Sequence, residues 1–178
     1  MNHGVWIQGG KKEIESNRAF CILPWIHSYF YPDGKVALCC VSATLLKDTR
    51  TGSDLNIQTH SMEEIFNSGA HESVRKAMLE GRQIENCAAC YHEDLYSRNS
   101  HRNLYNDLWL KGKFSGLNLL ERIEQRREQS IVDTPLSVDF RLGNLCNLKC
   151  QICNPQNSSQ IEKDPGFSAW NPCDYLRL

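Results

Sequence analysis

Between Ile22 and Tyr31 the chain is rich in aromatic and β-branched residues; Pro32-Asp33-Gly34 follows, and a second run extends from Lys35 to Cys40. Proline presets φ and glycine accepts a positive φ, so the three residues read as a turn. The runs on either side read as a β-hairpin. Ser61-Met62-Glu63-Glu64 has capping-box spacing, with Met62, Ile65 and Phe66 on one helical face. After Gly69 a second helix is expected from His71 to Glu80, with Val74, Ala77 and Met78 aligned and Gly81 as its stop. Glu93 to Trp109 reads as a helix with Leu104, Tyr105 and Leu108 on its apolar side, and Leu117 to Arg127 as another. Asp133-Thr134-Pro135 ends the helical region. Leu136, Val138, Phe140 and Leu142 then alternate with Ser137, Asp139 and Arg141, the pattern of a strand with one apolar face. Ser158 to Lys163 reads as the beginning of a further helix.

The 178 residues suffice for one medium domain or two small ones. A composition 40% apolar and 23% charged is that of an ordinary folded chain. The net charge of −1 gives no broad attraction to nucleic acid or to a membrane surface, and no apolar run is long enough to span a bilayer. The polar stretch from Met1 to Arg18 lacks the apolar segment of a secretory signal, so the expected compartment is cytoplasmic, where thiols stay reduced.

In that setting nine cysteines point to metal binding before disulfides. Cys146, Cys150 and Cys153 form C-x3-C-x2-C immediately after the expected strand. Gaps this short let three thiolates converge from one loop, as in iron–sulfur sites. Three ligands on a four-iron cube leave one iron open. A structural zinc ion would want a fourth ligand, for which Cys173 is the nearest candidate. The other cysteines are Cys21, Cys39, Cys40, Cys87 and Cys90. His27, His60, His71, His92 and His101 show no paired ligand spacing and read as surface or packing residues.

The C-x3-C-x2-C loop after a strand resembles the radical S-adenosylmethionine superfamily. The resemblance implies a [4Fe–4S] cluster on Cys146, Cys150 and Cys153 whose open iron chelates S-adenosylmethionine. It implies reductive cleavage of that cofactor and hydrogen abstraction from a substrate, with flavodoxin or ferredoxin as electron donor. Ile152 stands where the family often has an aromatic residue near the adenine. The second group reads C-x12-G-x4-C through Cys21, Gly34 and Cys39, then C-x2-C at Cys87 and Cys90, with the Ser61 helix between. It resembles the twitch domain, the shorter relative of the SPASM domain, and implies a second, auxiliary [4Fe–4S] cluster on Cys21, Cys39, Cys87 and Cys90. Cys40 is the alternative to Cys39, since neighbours on a strand face opposite ways. With the hairpin centred on Asp33, Cys39 lies opposite His27, so the chain must bend between Ile22 and Trp25 to bring Cys21 near; Pro24 suits such a bend. Four cysteines could also hold zinc.

The expected architecture is α+β: a flexible lead-in at 1–19, a hairpin-and-helix auxiliary cluster domain at 20–132, and at 133–178 the first βα unit of a partial (β/α) barrel. Six such units need on the order of 180 residues, so the barrel is expected to be incomplete in this chain and catalysis with it. Twitch domains usually follow the barrel, whereas the similar segment precedes it here. Glu93, Ser100 and Arg102 read as a solvated helical face. Asp139 and Arg141 lie on the strand face that in a barrel would point to the lumen, and equally read as an ordinary exposed pair; Trp25, Tyr29, Phe30 and Tyr31 read as core. No residue is assigned to catalysis. The substrate, peptide or small molecule, is left open, and the alternatives are a zinc-binding interaction module and an iron–sulfur electron-transfer protein without radical chemistry.

Overall fold

The computed structural model describes residues 14, 16–97, 99–128, 132–151, 153–155 and 157–168. Ile152, Cys173 and most of the lead-in lie outside the described residues. The fold is α+β and divides into two compact units, residues 1–140 and 141–178. No described helix is long and apolar enough to cross a membrane.

The first unit is built on a three-stranded sheet ordered β2-β1-β3, with β1 at His27–Phe30, β2 at Val36–Ala37 and β3 at Ser137–Phe140. The hairpin pairs Tyr29 with Ala37 and Phe30 with Val36, the register of a turn centred on Asp33. Gly34 closes the turn at φ +82°, and its N–H bonds the Tyr31 carbonyl. The expected strand before the turn is only half a strand. Leu23–Ile26 forms a short helical turn, α1, with Pro24 in its first positions, where the missing N–H is harmless. His27 is extended and ends it. This is the bend that the spacing of Cys21 and Cys39 demanded.

Ser61 caps α2 (Met62–Phe66) in a reciprocal box, its hydroxyl accepting from the Glu64 N–H and its own N–H donating to the Glu64 carboxylate. Ser68 caps α3 (Gly69–Leu79), which starts two residues earlier than the apolar pattern indicated. Gly81, at φ +72°, closes α3, with the Arg82 N–H returning to the Ala77 carbonyl. A 3-10 turn, Glu85–Cys87, leads into α4 (Ala88–Glu93). The long helix expected from Glu93 to Trp109 is broken. Ser100 caps a new helix, α5 (His101–Asn106), which passes into one π-helical turn at Asp107–Lys111. Its buried side carries Arg102 and Trp109, whereas Leu104 is exposed and Leu108 borders on exposure. Helix α6 spans Leu119–Glu128 and sends Ile123 into the core.

The core gathers Phe20, Ile22, Trp25, Ile26, Phe30, Val36, Leu38, Ile65, Phe66 and Met78. The end of the lead-in belongs to this unit: the Asn17 side chain accepts from the N–H groups of Ala19 and Phe20 and donates to the Met78 carbonyl at 2.7 Å. Arg75 and Arg126, both buried, lie over the Phe66 ring at 4.5 and 5.2 Å and share the Glu72 carboxylate.

Strand β3 pairs in parallel with β1, His27 against Ser137 through Phe30 against Phe140, and the Phe30 and Phe140 rings stack at 4.8 Å. The compact units therefore divide after Phe140 and not near residue 133, because β1 takes up the β3 backbone. The alternation of β3 is inverted relative to an inward apolar face: Ser137 and Asp139 are half-buried, while Leu136, Val138 and Phe140 are exposed.

The second unit, described by itself, is a loop held by side chains. Ser158 caps the short helix α7 (Ser159–Glu162), and its hydroxyl donates to the Leu148 carbonyl at 2.7 Å. Asn144 donates to the Pro155 carbonyl and the Glu162 carboxylate. A short helix, α8, follows at Pro165–Ser168.

Replacing Gly34 with alanine forces a β-carbon into a positive-φ position and against the Asn56 side-chain oxygen. The expected loss is about 1–3 kcal/mol, read as a lower urea midpoint; an unchanged midpoint shows the turn to be under no such constraint.

Candidate metal centre

Cys21 immediately precedes the turn into α1, where the backbone has no sheet partner. Side chains from the downstream helices supply the bonds instead. The Asn106 carbonyl oxygen accepts from the Ile22 N–H at 2.8 Å, and its amide donates to the Phe20 carbonyl at 3.0 Å. Arg102 Nη1 donates to the same carbonyl at 2.9 Å, and the Tyr91 hydroxyl donates to the Ala19 carbonyl at 3.0 Å. Three side chains thus fix residues 19–22 on both sides of Cys21.

Arg102 is buried, and its charge is matched by Asp94, which takes Nε at 2.9 Å and Nη2, and also accepts from Asn103 at 2.7 Å. A buried guanidinium is tolerated when an acid and a carbonyl satisfy it. Glu93 is solvated as expected; Ser100 and Arg102 are not. Both are buried, one as a helix cap and the other as the clamp on Phe20.

Cys39 leaves β2 buried, while Cys40 turns to solvent with its sulfur 3.8 Å from His101 Nε2. Cys87 ends the 3-10 turn, and Cys90 lies one helical turn on, so both sulfurs share a face. The thiols of Cys21, Cys39, Cys87 and Cys90 are gathered so that every pairing among the four is within electrostatic reach. Burial is the main cause pushing their pKa values up from 9.0: Cys21 well above it, Cys39 to about 11, Cys87 to about 12, with Cys90 also raised. Neighbouring thiols add to the rise at Cys21, Cys39 and Cys87.

Hydrogen-bond donors oppose it. Backbone N–H groups serve three of the sulfurs: Leu23 at Cys21, Val41 and Ser42 at Cys39, Arg102 at Cys90. At Cys87 the nearby Tyr91 side chain acts in the same direction. Thiol donors with N–H groups near the sulfurs are the chemistry an iron–sulfur cluster uses. Among the described residues, no three histidine, cysteine, aspartate or glutamate side chains close on the position of a single metal ion.

Cys146, Cys150 and Cys153 lie in the loop of the second unit, Cys150 exposed and the other two half-buried. The Cys146 N–H donates to the Ser159 hydroxyl, whose proton goes to the Cys146 carbonyl; the Cys153 N–H bonds the Cys150 carbonyl at 3.0 Å. The loop backbone is ordered by its own serines, and the three sulfurs are not drawn together on one ion. Arg141 bonds Asn157 at 2.7 Å. Asp139, in the first unit, acts electrostatically on His27 and Tyr105. His27 is buried against the Ser137 hydroxyl at 3.1 Å, and His71 donates through Nδ1 to the Ile65 carbonyl at 2.9 Å, both packing roles.

Residue pattern alone did not single out Tyr91, Asp94 or Asn106. One signal was available: Arg102 and Asn106 are four apart and so share a helix face.

Residues 21–91 match the family model of SPASM, an iron-sulfur cluster-binding domain. The matched segment starts at Cys21 and includes Cys39, Cys87 and Cys90, which supports an iron–sulfur cluster-binding domain in this part of the chain. Neither a search of curated proteins nor a search of solved structures returned a match.

Two outcomes are expected for the metal-free chain. Iodoacetamide, with the products located by mass spectrometry, should label Cys40 and Cys150 before Cys21, Cys39 and Cys90; equal rates would show the four-thiol group to be open to water. Stability should also fall with rising alkaline pH. Unfolded thiols release their protons near 9.0 while folded Cys39 keeps its proton to about 11. The stabilisation is thus complete below pH 9 and is lost as the pH climbs through 11. Urea midpoints at pH 8 and 10.5 give the comparison.

Proposed function

We propose that this chain is an iron–sulfur protein of the radical S-adenosylmethionine kind. In this reading Cys21, Cys39, Cys87 and Cys90 hold an auxiliary [4Fe–4S] cluster, and Cys146, Cys150 and Cys153 hold a second cluster that takes S-adenosylmethionine. The observation that carries the reading is the mutual approach of four thiols distant in sequence, within a segment that matches an iron–sulfur cluster-binding domain. When bound, such clusters supply one-electron transfer.

The protein's share of the work follows from its own residues. At neutral pH the raised thiols are protonated, so loading must displace protons from Cys21, Cys39, Cys87 and Cys90. The N–H groups of Leu23, Val41, Ser42 and Arg102 then stabilise the sulfur charge, and burial of Cys21, Cys39 and Cys90 keeps water away. Four ligands leave no cluster corner open, which suits a relay or a structural centre. Cys146, Cys150 and Cys153, one exposed and two half-buried, would be the three thiol ligands of the cluster that would take S-adenosylmethionine. The reaction class is hydrogen abstraction from a peptide or small-molecule substrate, with flavodoxin or ferredoxin as the electron source.

Anaerobic reconstitution with iron and sulfide is expected to give a brown chain with about eight irons, four per cube. Serine at Cys21, Cys39, Cys87 and Cys90 should leave about four irons, and serine at Cys146, Cys150 and Cys153 likewise about four. S-adenosylmethionine should change the spin-resonance signal of the reduced wild-type chain, and not that of the Cys146/Cys150/Cys153 variant. A colourless, zinc-loaded product would sink the proposal, and eight irons with no response to the cofactor would reduce it to electron transfer alone.

A further inference from the structure

A cavity of about 740 Å³ opens in the first unit between the end of the lead-in, α4, α5 and the π-helical turn. Pockets of roughly 300–1,000 Å³ hold small molecules. No cysteine lines this one. Most of its polar wall is already committed. Asp94 accepts from Arg102 at 2.9 Å and from Asn103 at 2.7 Å. Asn106 bonds the backbone of Phe20 and Ile22, and Asn17 that of Ala19, Phe20 and Met78. Lys111 pairs with Asp107 at 3.0 Å. These groups make the wall rigid, and their charges cancel in pairs.

Two lining side chains differ. Arg18 and Gln83, both exposed, make no side-chain hydrogen bond or ion pair among the described residues. With the pairs cancelled, Arg18 is the one uncompensated charge on the cavity wall. A guanidinium presents two parallel N–H donors, the geometry that a carboxylate matches. Gln83 adds a neutral donor. Phosphate fits less well, because a dianion would exceed the single free cation and meet the two aspartates, Asp94 and Asp107, on the same wall. The cavity is also apolar in part: Leu95, which is 75% exposed, and Leu110 line it. A ligand that covers them gains from removing that surface from water.

We infer that this cavity is a binding site for a monoanionic carboxylate with an apolar body, the carboxylate held by Arg18 and Gln83 and the body lying against Leu95 and Leu110. The chemistry is shared by a small carboxylic acid and by the C-terminus of a peptide. The site is independent of the cluster reading, since none of the proposed metal ligands lines it. It does lie against the side chains that fix the backbone beside Cys21: Arg102 and Asn106 each bond Phe20 from its inner wall.

The test is a titration of the full chain, without added metal, followed by nuclear magnetic resonance of the Gln83 side-chain amide and the Leu95 methyl groups. N-acetylleucine should shift both sets of signals, while N-acetylleucinamide, which lacks the charge, and inorganic phosphate should bind at least about tenfold more weakly. Arg18→Gln should weaken N-acetylleucine by about tenfold, and Arg50→Gln, at an exposed arginine elsewhere, should not. If Arg18→Gln does not fold, the unaltered chain decides by salt: binding of the acid must weaken as sodium chloride is raised, and binding of the amide must not. N-acetyl-Gly-Gly-Leu distinguishes the sources. Tighter binding than N-acetylleucine identifies a peptide C-terminus, and weaker binding a small acid; both uphold the site. Equal binding of acid and amide, binding of phosphate as tight as that of the acid, or shifts confined to residues outside the cavity overturns the inference.

Discussion

The backbone on either side of Cys21 lies in a stretch that has left one kind of structure and not yet entered another. Buried peptide groups must be bonded, and here there is no strand alongside to bond them. The requirement falls on Tyr91, Arg102 and Asn106, whose polar ends reach the carbonyls of Ala19 and Phe20 and the N–H of Ile22. The positions of α4 and α5 against the N-terminal arm follow from this one need. So does the approach of Cys21 to Cys87 and Cys90, more than sixty residues away in sequence. The thiols come within electrostatic reach of one another because the chain beside them has to be satisfied.

The same logic explains where charge is buried. Arg102 is enclosed with Asp94, and Arg75 and Arg126 are enclosed with Glu72 over the Phe66 ring. Each guanidinium also bonds a backbone carbonyl: Phe20, Pro24 or Phe66. Removing Arg75 leaves the Pro24 carbonyl without its side-chain donor, and removing any of the three leaves a carboxylate without its full complement, which is the costly way to break a buried pair. The helices are thus tied to the sheet by planar, multidentate contacts as much as by apolar burial.

Much of this was legible in the sequence, and the reasons differ by element. The turn at Gly34, the capping box at Ser61 and the stop at Gly81 are local chemistry, and the structure repeats them. The centre of the hairpin fixed its register, and with it the need for a bend near Pro24. What escaped was long-range. The break between α4 and α5 is invisible to periodicity, because Ser100 is a helix cap only once the preceding chain has turned away. By its sequence Arg102 reads as solvated, because charged side chains usually are, and its burial depends on a carbonyl eighty-two residues away. The parallel pairing of β3 with β1 likewise joins segments that no local pattern connects, and it assigns the strand before the cysteine loop to the first unit. For the cysteines, spacing identified the groups with Cys39 ahead of Cys40, and the fold buries Cys39 while exposing Cys40.

That parallel pairing also bears on how the chain is made. His27 and its partner Ser137 are 110 residues apart. At a synthesis rate of about 5–20 residues per second the ribosome takes roughly 5–20 s to deliver β3 after β1 has emerged. Throughout that interval β1 has one edge with unfilled backbone groups, and its side chains are those of an interior strand. An open edge of this kind recruits any extended segment that reaches it, including β1 of a neighbouring nascent chain. The segment between the two strands contains β2 and helices α2 to α6, so the sheet is completed only after these have been made.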